Sequence, residues 1–129
     1  MAELSTSARA LFDGANFATV ATLQPDGTSQ LSVVWVTLDG DDVVFSTKEG
    51  RRKHVNLARD PRITLLAMPA DNPYAYVEIR GTATMVTEGG DELINALSEK
   101  YTGGPFTGDK PGDVRLVVRI SADRVVEHG

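Results

Sequence analysis

The sequence predicts a mainly β fold, a closed or nearly closed antiparallel barrel of six or seven strands with short helices set between them. Three observations carry this. Apolar residues recur with a period of two, as in the run VRLVVRI from Val114 to Ile120. Turn residues punctuate those runs at Gln24-Pro25-Asp26-Gly27 and Asp39-Gly40-Asp41. Helical patterns do not alternate regularly with strands, which argues against a parallel doubly wound sheet. Closure into a barrel also removes the open edges that so many short strands would leave.

The elements follow in order. Ser5 or Ser7 is placed to cap a short helix through Ala8, Leu11 and Phe12, with Gly14 where a left-handed residue would end it. Phe17 to Leu23 reads as a strand, and Thr28 to Leu38 as its hairpin partner. Val43 to Thr47 is the third strand of this meander. A helix over about Arg51 to Arg59 must stop before Pro61, because the residue preceding a proline disfavours the α region. Arg62 to Met68 is rich in β-formers, and Tyr74 to Thr87 is long enough for a bent strand with Gly81 at the bend. Gly90 to Lys100, followed by Tyr101, puts Leu93, Ile94, Leu97 and Tyr101 on one helical face. The segment TGGPFTGDKPGD, Thr102 to Asp113, is expected to be a mobile loop. Val114 to Ile120 is the last full strand, with a short one expected over Arg124 to Glu127.

A chain of 129 residues is expected to form one domain over 1–129. The net charge of −5 argues against nucleic acid or a membrane surface as partner. Cysteine is absent, which fits a reducing cytosol, and the acidic N-terminal stretch lacks an apolar run of signal-peptide length. A cytoplasmic protein with no membrane insertion is therefore expected.

Against this acidic background one window stands out. From Lys48 to Arg62, six Lys and Arg residues face only Glu49 and Asp60, a local charge of +4 that leaves −9 for the rest. Arg51, Arg52 and Lys53 open the helix, where the macrodipole is already positive, and an anion such as a phosphate would relieve the repulsion. Ser46 and Thr47 end the preceding strand, with hydroxyls placed either to join that anion site or to cap the turn. The alternative for the whole cluster is a solvated basic face. On the strand Thr28 to Leu38, Gln30 and Ser32 share a face with Val34 and Val36, while Leu31, Val33 and Trp35 take the other. A strand apolar on both faces near its middle is expected to be buried on both. Gln30 and Ser32 then either hydrogen-bond a ring with alternating donors and acceptors or lie at the strand's exposed end.

Other constellations fall away. GGPFTGDK lacks the spacing of a phosphate-binding P-loop. His54 and His128 are the only histidines and read as surface residues, so no metal site is expected. No nucleophile elbow or catalytic triad order is visible, and the acid pairs Asp41-Asp42 and Asp91-Glu92 belong to a turn and a helix start.

The hairpin FATVATLQPDGTSQLSVVWV, the run VVFSTKEGRRKHVNLARDPRITLL and the stretch YAYVEIRGTATMV together resemble the pyridoxamine 5'-phosphate oxidase-like split β-barrel superfamily, and within it the deazaflavin reductases that use coenzyme F420. The resemblance covers about Phe17 to Ile120. It implies a homodimer of split barrels with two cofactors at the interface. It further implies that Arg51, Arg52 and Lys53 hold the cofactor phosphate, that the ring lies against the strand of Gln30 and Ser32, and that Tyr74 and Tyr76 approach from the opposite subunit. Oxidases of the family carry a basic residue on the strand matching Thr28 to Leu38 and a C-terminal extension with substrate-binding Arg and His residues. This chain has neither, which sets it apart from pyridoxamine phosphate oxidation.

The expected activity is hydride transfer from reduced F420 to a small electron-poor acceptor, unsaturated, quinone-like or tetrapyrrole-like. The alternatives are an FMN-dependent oxidoreductase of the same family, a flavin or F420 carrier without turnover, and a haem or tetrapyrrole binder. No side chain is expected to serve as an indispensable acid, because His54 and His128 are poorly placed and water can supply the proton.

Overall fold

In the computed structural model, which describes residues 2–128, one sheet of seven antiparallel strands is accompanied by three helices among the described residues. The chain runs α1 (Thr6–Asp13), β1 (Ala18–Leu23), β2 (Ser29–Val34), β3 (Val36–Asp39), β4 (Asp42–Lys48), α2 (Arg52–Arg59), β5 (Arg62–Ala67), β6 (Val77–Val86), α3 (Gly90–Thr102) and β7 (Arg115–Glu127). Their order across the sheet is β2-β1-β5-β6-β7-β4-β3.

The two edges of this sheet are one stretch of chain. β2 pairs with β1, β3 pairs with β4, and only Trp35 lies between them, so a single segment leaves one edge and joins the other. That connection curls the sheet into a nearly closed barrel. The expected strand Thr28 to Leu38 is therefore two strands. The break strands the backbone of Val36, and α3 repairs it: the Tyr101 hydroxyl accepts from Val36 N at 3.1 Å, while Lys100 Nζ donates to Val36 O at 2.6 Å and to Phe12 O at 2.7 Å.

Residues of one parity point into the barrel. Ala18, Val20 and Thr22 on β1 face inward with Val34, Ser32 and Gln30 opposite them. Phe45, Leu65, Ile79, Val118 and Ile120 complete the interior at 0 to 1% exposure. Each such side chain contributes about 1.5 to 3 kcal/mol by burial, which outweighs the propensity of the short helices. α1 closes one end with Ala8, Leu11 and Phe12, its N-terminus capped by Ser5 Oγ accepting from Ala8 N at 3.1 Å.

Several expectations need correction. Gly14 ends α1 in an extended conformation, with φ −76° and ψ 165°, rather than a left-handed one. β2 is not buried on both faces: Leu31 and Val33 are 63% and 66% exposed. β6 begins at Val77, leaving Tyr74 and Tyr76 in the preceding turn. β7 runs unbroken through Glu127, because its second half pairs with the first half of β6 across an irregularity at Arg80/Gly81. At Gly81 an added Cβ would sit 2.2 Å from Ser121 O, so only glycine fits the bend.

Candidate functional site

β4 ends at Lys48, and Gly50 turns the chain with φ 93°, a left-handed value that favours glycine. Arg51 takes the N-cap position of α2, and His54 Nδ1 accepts from Gly50 N at 2.9 Å to hold the turn. α2 is anchored on its other side by Asn56, which is fully buried. Its Nδ2 donates to Thr22 Oγ1 at 3.0 Å and to Gln24 Oε1 at 3.2 Å. Thr22 Oγ1 in turn donates to Gln30 Oε1 at 3.2 Å. This network fixes where the basic residues point.

They point at a cleft of about 250 Å³ beside the Trp35 break. Phe17, Val33, Val34 and Trp35 form one wall, Ile94 and Leu97 of α3 the back, and Ser46, Arg51, Lys53, Phe106 and Arg115 the remainder. The side chains of Arg51, Arg52 and Lys53 have no hydrogen bond or ion pair among the described residues. Burial first, then the neighbouring Arg51, pushes the half-buried Lys53 ammonium below its ordinary pKa, the expected state of a cation lacking a counterion. Two hydroxyls, Ser32 Oγ and Thr47 Oγ1, are also buried without a partner. Thr47 is 0% exposed. The two cations at the cleft fit a phosphorylated ligand, and neither hydroxyl is among the residues that line it.

The remaining expected residues divide. Ser46 accepts from Arg115 Nη1 at 3.3 Å. Arg52 is exposed beside the cleft rather than lining it. Gln30, the second residue of β2, accepts from Thr22 Oγ1 and donates to Leu31 O at 3.2 Å, and it does not line the cleft. Tyr74 and Tyr76 lie outside the cleft. Tyr76 lines a separate depression and stacks on His128 with centroids 5.0 Å apart, and Tyr74 is 75% exposed.

Sequence reasoning missed Arg115, Phe106 and the role of Trp35. Arg115 alternates with Val117 and Arg119 on the face away from the barrel interior, a pattern that ordinarily means solvent. The loop 102–113 covers it instead. That loop is fastened rather than free: Asp109 bridges Arg115 and Lys48, Phe106 N donates to Asn95 Oδ1 at 3.2 Å, and Ser98 Oγ donates to Gly104 O at 2.8 Å. The Phe106 ring lies 4.8 Å from the Arg115 guanidinium carbon and meets Trp35 edge-on at 6.5 Å. Trp35 stacks on Tyr101 at 5.5 Å.

Outside the barrel, Val33, Thr19 and Leu66 lie in one row across β2, β1 and β5. With Phe17, Leu31 and Met68 they leave an apolar face, its large residues 42 to 66% exposed. No helix among the described residues is long and apolar enough to cross a membrane.

Residues 4–128 match the family model described as pyridoxamine 5'-phosphate oxidase. A pyridoxine/pyridoxamine 5'-phosphate oxidase from Kineococcus radiotolerans is 38% identical over 97 residues, which are 75% of this chain but 40% of that protein's length. Among solved structures, an F420 reductase superposes with a TM-score of 0.81 at 27% identity, over 92% of this chain and 94% of the other. A conserved hypothetical protein from Mycobacterium tuberculosis does so with a TM-score of 0.81 at 28% identity, over 99% of this chain and 86% of the other.

Proposed function

The chain belongs to the pyridoxamine 5'-phosphate oxidase family of split β-barrels, and from that premise we propose that it is an F420-dependent reductase acting on a small electron-poor acceptor. The observation that carries the reading is the cluster Arg51, Arg52 and Lys53 at the head of α2, without a carboxylate partner among the described residues, with Arg51 and Lys53 lining the cleft. F420 rather than FMN is supported by the likeness to a solved F420 reductase across most of both chains. FMN is the second reading, supported by the oxidase to which the chain is 38% identical.

When bound, the reduced deazaflavin supplies hydride. The chain supplies position. Arg51 and Lys53, with Arg52 beside them, hold the phosphate. Trp35 and Phe106 form flat apolar walls that exclude water and align the acceptor, which accounts for much of the rate enhancement such a site can give. Neither His54 nor Tyr101 is poised as a proton donor. The His54 lone pair is taken by Gly50 N, and the Tyr101 hydroxyl is engaged by Asn16 O and Val36 N, with burial pushing its pKa up. The proton therefore comes from water.

The apolar outer face of β2, β1 and β5 is the surface on which a second copy would dock, and Tyr74 and Tyr76 would reach the site from that copy. Titration of the cofactor-free protein with F420 and separately with FMN, followed by absorbance and fluorescence, tests the cofactor. Tighter binding of F420 is expected, and FMN binding ten times more tightly would overturn the choice.

A further inference from the structure

Arg115 is a cation that the phosphate site does not need. Its side chain is 5% exposed, and it reaches the cleft from β7, an element separate from α2 with its Arg51 and Lys53. A guanidinium this buried requires an anion, because charge transferred from water without one is strongly unfavourable. The anion present is Asp109, from the covering loop. It engages Nε at 2.8 Å and Nη2 at 2.9 Å. Nη1 reaches Ser46 Oγ at 3.3 Å, so three of the five guanidinium N–H groups are engaged.

Asp109 can release Arg115 by rotating its own side chain while the loop stays fastened at Ser98, Asn95 and Lys48. Asp109 itself is 24% exposed and can pass to water. What remains around Arg115 when it leaves is Trp35, Phe106 and Ser46, two aromatic walls and a hydroxyl.

We propose that Arg115 is the carboxylate-recognising residue of the acceptor subsite, that Asp109 stands in for the substrate's carboxylate in the empty protein, and that the acceptor is a flat conjugated acid that takes over the Arg115 fork. The proposal rests on the reading of this cleft as the reaction site and names its substrate class. The cleft is walled by Trp35 and Phe106, whose rings suit a flat conjugated occupant. The fork favours a planar carboxylate over a spherical anion, because two parallel N–H groups match two carboxylate oxygens.

Trp35 is the only tryptophan and lies in the cleft wall, so binding is read directly from its fluorescence without cofactor. The probes are trans-cinnamate and its neutral isostere cinnamamide. Wild-type protein is expected to bind cinnamate, Asp109→Asn to bind it about tenfold more tightly because the internal competitor is gone, and cinnamamide to bind the two proteins alike. Arg115→Lys, which keeps the charge but loses the fork, is expected to lose the tightening in the Asp109→Asn background. Equal affinity for cinnamate and cinnamamide in Asp109→Asn, or no tightening of cinnamate on that substitution, overturns the proposal. F420 titration of the same variant separates the two readings: absent F420 binding with cinnamate discrimination intact removes the cofactor assignment and leaves the carboxylate subsite standing.

Discussion

Asp109 and Arg115 meet as a two-pronged pair, Oδ2 to Nε at 2.8 Å and Oδ1 to Nη2 at 2.9 Å, and this contact turns a glycine-rich surface loop into a wall of the cleft. Lys48 reaches Asp109 at 3.4 Å and Asp113 at 3.1 Å, so the same β4 residue holds the loop at two points. Phe106 is thereby seated between Arg115 and Trp35.

The pair has a pH signature. Hydrogen bonds from Arg115 hold the Asp109 carboxyl below its ordinary pKa, with Lys48 adding to the effect, and the Lys110 backbone N–H and Lys48 do the same for Asp113. A carboxylate whose folded pKa is depressed contributes stability above its unfolded pKa of about 3.9, and that contribution is lost as pH falls through the folded value. Acrylamide quenching of Trp35 is expected to be constant from neutral pH down to about pH 5 and to rise only in stronger acid. A rise between pH 5 and 7 would mean that another group holds the loop.

Arg51→Ala and Lys53→Ala are each expected to weaken cofactor binding by about 1.5 to 3 kcal/mol, the range for hydrogen bonds to charged groups, with folding barely changed. Calorimetric titration measures this. Unchanged dissociation constants in the double variant would return the cluster to a solvated basic face.

Asn56→Ala should affect both stability and binding. It leaves Thr22 and Gln24 without their buried donor and frees α2 from the barrel, at a cost of about 1 to 3 kcal/mol in urea unfolding. Because α2 carries Lys53, cofactor affinity is expected to fall in the folded protein too. Loss of stability with affinity retained would separate the network from the site.

Val33→Asp places a charge in the centre of the apolar outer face, where Val33 is 66% exposed. A dimer in the native protein at micromolar concentration and a folded monomer in the variant are expected from light scattering. A native monomer that still binds cofactor would exclude a site shared between copies.

The sequence by itself determined the β period, the main turns, the helix that must stop before Pro61, the glycine at the β6 bend and the cationic cluster at the head of α2. Apart from that glycine, whose need comes from the neighbouring Ser121 backbone, these are local properties that depend on residues a few positions apart. Tertiary structure alone decided the rest. Trp35 reads as one more apolar strand residue, and it becomes a corner because Lys100 and Tyr101, more than sixty positions later, satisfy the backbone of Val36. Gln30 reads as a polar group in search of a ligand, and Thr22 answers it from the neighbouring strand. Arg115 reads as solvent-facing, and the loop that buries it has a composition that signals disorder, because a two-pronged ion pair and an aromatic contact supply an order that glycine and proline do not encode. Pairings between side chains far apart in the chain depend on the curling of the sheet, and only the curled sheet brings them within reach.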